Sequence, residues 1–113
     1  MKLIMHILKK NKDFNYDTAT LDDVSKKLIE EVAEVLIEIA NFSTTPKISL
    51  LRKVVAETFD VVQVCIGILY ICHRIAKNKG KNEFIQEANI RHKDKLIERG
   101  WQIRTGIEVD VKE

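Results

Sequence analysis

Nineteen consecutive residues, VVAETFDVVQVCIGILYIC from Val54 to Cys72, carry only two charges, Glu57 and Asp60. As a helix this run is apolar nearly all round, so it belongs in the centre of a core or in a bilayer. Two carboxylates three residues apart near its middle argue against a membrane span, because hydrocarbon offers them no partner. The expectation is the central helix of a soluble core. At about 100° per residue Glu57 and Asp60 lie about 60° apart, with Val61, Val64 and Ile68 on the same side. Carboxylates facing a core are costly unless something compensates them. Positive side chains would do so, and so would a metal ion.

A second stretch bears on that choice. KKLIEEVAEVLIEIAN, from Lys26 to Asn41, has helical periodicity with four glutamates. Glu31, Glu34 and Glu38 fall within an arc of about 60°, beside the apolar face of Leu28, Val32, Val35, Leu36 and Ile39. Glu30 lies further round, beside Ile37. Taken alone this is an ordinary solvated helix surface. Two antiparallel helices joined by a short loop, however, would set the pair Glu31 and Glu34 against the pair Glu57 and Asp60. Four carboxylates around one point make a hard-oxygen site suited to Mg²⁺ or Mn²⁺, completed by water or phosphate oxygens. A di-iron bundle would need Glu-x-x-His, and none of His6, His73 and His92 has a glutamate three residues before it.

Punctuation divides the chain into three predicted helices. Thr20 offers an N-cap, with Asp22 and Asp23 in the first turn, for a helix running to about Phe42. Pro46 opens a second, to about Ala76, and Gly80 breaks it. A third covers roughly Glu83 to Arg99 and stops at Gly100. The tail alternates Ile107, Val109 and Val111 with polar neighbours, the pattern of a short strand or a hairpin turning at Thr105-Gly106. The first dozen residues read as strand or short helix, with nothing to decide between them.

The length of 113 residues suits a single domain, with a helical core over about 20–100 and a tail over 101–113. The fold class expected is all-α, antiparallel helices forming a four-helix-bundle-like core. Three such helices leave too much apolar surface for one chain, so a homodimer or homotetramer should complete that core. A net charge of +2 gives no case for nucleic acid. Charge is nonetheless segregated: nine acids against five Lys or Arg from Asp17 to Asp60, and nine Lys or Arg against four acids from His73 to Arg104. Cys65 and Cys72 share a helix face about 10.5 Å apart, too far for a disulfide, and read as buried free thiols in a reducing compartment. MKLIMHILKKNK lacks the layout of a signal peptide, which makes the cytoplasm the expected location.

Glu31-Val-Ala-Glu34, then 22 residues, then Glu57-Thr-Phe-Asp60, resembles the MazG-like all-α nucleoside triphosphate pyrophosphohydrolases, relatives of the dimeric dUTPases and phosphoribosyl-ATP pyrophosphohydrolases. The resemblance covers roughly Asp22 to Trp101, including the closing HKDKLIERGW from His92. It implies that Glu31, Glu34, Glu57 and Asp60 are metal ligands. The activity implied is Mg²⁺-dependent hydrolysis of a nucleoside triphosphate between its α and β phosphates, with Glu34 the candidate to orient the attacking water.

On the third helix Lys95 and Arg99 are one turn apart, and the wheel groups them with His92, Phe84, Ile85, Ala88 and Leu96 on an inward face. There they would snorkel, pair with core acids or receive phosphates. The resemblance favours substrate phosphate contact by Lys95 and Arg99. Phe14, Tyr16 and Trp101 are aromatic residues that would either stack on a nucleobase or close the edge of a core. The rival from another class is a non-catalytic helical dimer that binds a protein partner and needs no carboxylate cage.

Overall fold

The computed structural model describes residues 1–111, with three α-helices: α1 (Leu21–Thr44), α2 (Ile48–Asn78) and α3 (Phe84–Glu98). The all-α expectation holds. Thr20 starts α1 through a reciprocal cap. Its Oγ1 accepts the Asp23 N–H at 3.1 Å, and the Asp23 carboxylate accepts the Thr20 N–H at 2.9 Å. That backbone hydrogen bond, more than any neighbouring charge, holds the Asp23 carboxyl below its usual range.

Two helices end in the same way, and glycine is the reason. Gly80 and Gly100 take the left-handed backbone at φ 77° and 81°, a region that side chains disfavour. After α2 the Gly80 N–H bonds to the Lys77 carbonyl and the Lys81 N–H reaches back to Ala76. After α3 the Gly100 and Trp101 N–H groups bond to the Ile97 and Leu96 carbonyls in the same pattern. Both are Schellman stops, which satisfy carbonyls the helix end would otherwise orphan.

The chain divides into two compact units, His6–Cys72 and Met1–Met5 together with the residues from His73 on. In the first, α1 and α2 form an antiparallel hairpin across 45–47, preceded by an N-terminal segment tied to it. Tyr16 N–H bonds to the Lys9 carbonyl at 2.8 Å, and an isolated bridge pairs Lys10 with Asn15. The Asn11 side chain accepts the N–H groups of Asp13 and Phe14, both at 2.8 Å, which turns the chain between those arms. Gln63 Nε2 donates to the His6 carbonyl, and Tyr70 Oη donates to Asp17 Oδ1 at 2.9 Å.

This segment supplies much of the core. Tyr16, Ala19, Val24, Val64 and Ile71 are buried together, with Phe14, Leu28, Ile68 and Tyr70 packed around them. The Tyr16 ring lies where a side chain at position 67 would be. A Cβ on Gly67 would stand 2.7 Å from its Cζ, so the glycine in mid-helix is a seat for the ring.

The rest of the hairpin is less covered. On α1 the side facing α2 carries Val24, Leu28, Glu31, Val35 and Phe42, while Ile29, Val32, Leu36 and Ile39 form an exposed stripe about 120° round. On α2 a similar exposed stripe runs through Leu51, Val55, Val62 and Leu69. Because the helices run in opposite directions, the two stripes come to the same side of the hairpin. That side is opposite the N-terminal segment. Ile29 is 70% exposed and Leu36 58%.

Other expectations need correction. The tail from Trp101 to Val111 contains no strand or hairpin; Lys112 and Glu113 lie outside the described residues. Alternation alone does not make a strand without another to share its hydrogen bonds, and no strand exists among the described residues. Both cysteines are free thiols as expected, but neither is buried: Cys65 is exposed and Cys72 half-buried. α2 starts at Ile48, not Pro46, since the Lys47 carbonyl accepts the first N–H groups, from Leu50 and Leu51. By length and composition α2 is also the one described helix able to cross a membrane.

Candidate metal centre

The hairpin register meets the carboxylates of the two helices. Glu31 of α1 and Glu57 and Asp60 of α2 each present an oxygen, all within 4.8 Å of one another. Glu34 stands close enough to both Glu31 and Glu57 for its charge to raise their carboxyls. Three of the four acids named from the sequence therefore converge, with the exposed Glu34 beside them but outside the group. Val24, Leu28, Val64 and Ile68 lock the helices in this register, so the convergence follows from apolar packing around it.

Two of these groups pay for the proximity. The Glu31 carboxyl is pushed above its usual range, first by desolvation and then by the charges of Glu34 and Asp60; Lys27 pulls it partly back. The Glu57 carboxyl is also raised, by desolvation first, then by the adjacent Glu34 carboxyl and the charges of Asp60 and Glu31. Glu31 Oε2 and Glu57 Oε2 are sealed from solvent with no hydrogen-bond partner. Orphaned buried oxygens are uncommon in folded proteins and call for a missing partner.

A small hard divalent cation would satisfy those oxygens. Ligand oxygens around Mg²⁺ at about 2.0–2.1 Å stand about 3–4 Å apart, so oxygens spread over as much as 4.8 Å would draw inward around the ion. The donor set is oxygen only, as Mg²⁺ and Mn²⁺ prefer, with neither His nor Cys in the group. Glu38, one turn beyond Glu34, also has a buried Oε2 without a partner but stands outside the three-oxygen group. Glu30 is exposed.

Beside the acids the N-terminal segment closes a cleft of about 300 Å³. Lys9, Lys10, Phe14 and Lys27 line it together with Glu31, Asp60 and Gln63. Lys27 Nζ rests over the Phe14 ring at 5.0 Å from its centre, and the Phe14 ring meets Tyr16 edge to face at 4.8 Å. A larger depression, about 430 Å³, lies at the turn from α2 to α3, lined by Lys81, Glu83 and Glu87, the last paired with Arg91 at 3.8 Å.

No known protein family, curated protein or solved structure matches the chain.

Residues expected on the anion side stand differently. Lys95, Arg99 and His92 are exposed on α3, where only Ile85 and Leu96 are half-buried, so the inward face expected for them is not formed. They also belong to the other compact unit. Tyr16 is too deeply buried to stack on a base, and Trp101 is 67% exposed. Sequence reasoning missed Lys9, Lys10, Lys27 and Gln63. Lys27 had a signal, since it stands one turn before Glu31 on nearly the same arc. The others reach the cleft through the folded-back N-terminal segment, which no periodicity announces.

Proposed function

We propose that this chain is a Mg²⁺-dependent, MazG-like nucleoside triphosphate pyrophosphohydrolase, releasing nucleoside monophosphate and pyrophosphate. The observation that carries the reading is the meeting of Glu31, Glu57 and Asp60 with Glu34 beside them, two of the three having buried oxygens without a hydrogen-bond partner. Glu31, Glu57 and Asp60 would hold the cation, with Mn²⁺ as a substitute. Bound there, Mg²⁺ neutralises polyphosphate charge and makes a water more acidic. Glu34, exposed beside the ligands and coupled to Glu31 and Glu57 by charge, would orient the attacking water and accept its proton. No protein nucleophile is required, and none is assigned to Cys65, Cys72 or the histidines. Lys95 and Arg99 remain the phosphate contacts that the resemblance assigns.

The exposed stripes of α1 and α2 support a homodimer or homotetramer, in which a second hairpin would complete a four-helix core. They lie on the side away from the acids, so such an assembly leaves the carboxylates open to substrate. Free thiols suit the reducing cytoplasm, and the acidic cluster would repel nucleic acid.

The test is incubation with each NTP and dNTP and Mg²⁺, followed by separation of products. Monophosphate with pyrophosphate is expected; diphosphate with orthophosphate, or no turnover of any nucleotide, overturns the reading. The second reading, a non-catalytic helical dimer that binds a protein, draws on the same apolar stripes. Its mark is a melting temperature indifferent to millimolar Mg²⁺.

A further inference from the structure

We propose that Lys27 is the phosphate-contacting residue of the carboxylate cleft, poised over it by the Phe14 ring, with Lys9 and Lys10 extending the same cationic wall. This rests on the pyrophosphohydrolase reading and names where the anion of its substrate binds.

The placement of Lys27 has three supports. It stands one turn before Glu31 on α1, half-buried, in the lining of the cleft that also contains Glu31 and Asp60. Its ammonium lies over a ring face, a contact that an incoming anion can replace without leaving a buried charge unpaired. The ring itself is fixed: Asn11 holds the Phe14 N–H, and Tyr16, seated against Gly67, supports its edge. The field of Lys27 already reaches Glu31, so the lysine and the cluster are electrostatically coupled.

Size and charge then select the ligand. About 300 Å³ is the lower limit of small-molecule sites, enough for a phosphate chain but little more. Lysines facing carboxylates across so short a span match a ligand carrying both signs, as pyrophosphate does when complexed to a divalent cation. With Lys27 on its face, Phe14 acts as a support for the cation and not as a platform for a base.

The test is calorimetric titration of the full chain with Mn²⁺ alone, and with pyrophosphate in excess Mg²⁺. Lys27→Gln should weaken pyrophosphate about tenfold or more, and Lys27→Arg should restore most of it. Mn²⁺ alone should bind Lys27→Gln as well as wild type or better, because a positive charge beside Glu31 is gone. A merely structural lysine would lower both affinities together, and that result overturns the assignment. So does pyrophosphate binding within about twofold of wild type; if the Lys95→Gln/Arg99→Gln double variant loses it instead, the hydrolase reading stands without Lys27. Wild-type protein that binds Mn²⁺ but neither pyrophosphate nor any triphosphate overturns both, and absence of Mn²⁺ binding removes the metal centre itself.

Discussion

Adding one methyl group at Gly67 should destabilise the protein, although the site is the interior of a helix. In an isolated helix Gly→Ala gains about 1 kcal/mol from backbone entropy and propensity. Here the new Cβ would collide with the Tyr16 ring, 2.7 Å from Cζ and closer still to its neighbour. Either the ring moves or α2 shifts. Tyr16 is only 5% exposed, and an aromatic of this kind buries about 150–250 Å², worth about 4–6 kcal/mol at 25 cal/mol/Å². Full expulsion is the upper bound; overpacking in cores typically costs about 1–3 kcal/mol. Overlap with three atoms of one side chain puts the cost in the upper part of that range, about 2–3 kcal/mol. After the gain of about 1 kcal/mol, Gly67→Ala should lose about 1–2 kcal/mol, or roughly 5–15 °C in melting temperature. Urea unfolding followed by circular dichroism measures the loss. The decisive control is Tyr16→Ala, which removes the ring: on that background Gly67→Ala should become stabilising by up to about 1 kcal/mol. Gly67→Ala neutral or stabilising in the wild type would refute the packing described for the N-terminal segment, and with it the support under Phe14.

Other expectations concern charge and assembly. Because the Glu31 and Glu57 carboxyls are raised above 4.5, the folded protein without metal binds protons more tightly than the unfolded chain. Its stability should therefore fall as pH rises from about 4.5 through the folded values, and be greatest on the acid side of that window. Glu57→Gln should flatten this slope, raise metal-free stability at neutral pH and abolish turnover; melts from about pH 4 to 8 in chelator and a nucleotide assay check all three, and an unchanged slope counts against the cluster. Mg²⁺ at about 100 times its dissociation constant should add about 2.7 kcal/mol to wild type at neutral pH and almost nothing to Glu57→Gln, read as the shift in melting temperature. Leu36→Glu should leave a monomer's stability within about 0.5 kcal/mol but dissociate an assembly built on the α1 and α2 stripes, as sedimentation would show; an unchanged mass for a wild-type oligomer would place the interface elsewhere.

Local chemistry was legible in the chain. Thr20 and Asp23 start a helix because their side chains reach N–H groups three residues away, and Gly80 and Gly100 stop one because only glycine takes positive φ without strain. The grouping of Glu31 with Glu34, and of Glu57 with Asp60, also follows from 3.6-residue periodicity. Periodicity does not say how much of a face is covered: it grouped Lys95 and Arg99 with apolar neighbours, yet α3 leaves them in solvent. Nor does it supply a missing neighbour, which is why the alternating tail forms no strand.

Sequence alone thus determined the helices, their stops and which acids share an arc, since each depends on residues within about four positions of one another. Tertiary structure decided the rest. The meeting of the two carboxylate pairs is a matter of register, set by the link between helices and by apolar packing on both. The seating of Tyr16 against Gly67 joins residues about fifty positions apart, and the return of Lys9 and Lys10 to the cleft beside Lys27 joins residues about seventeen apart, contacts whose closure only the whole fold's burial can stabilise.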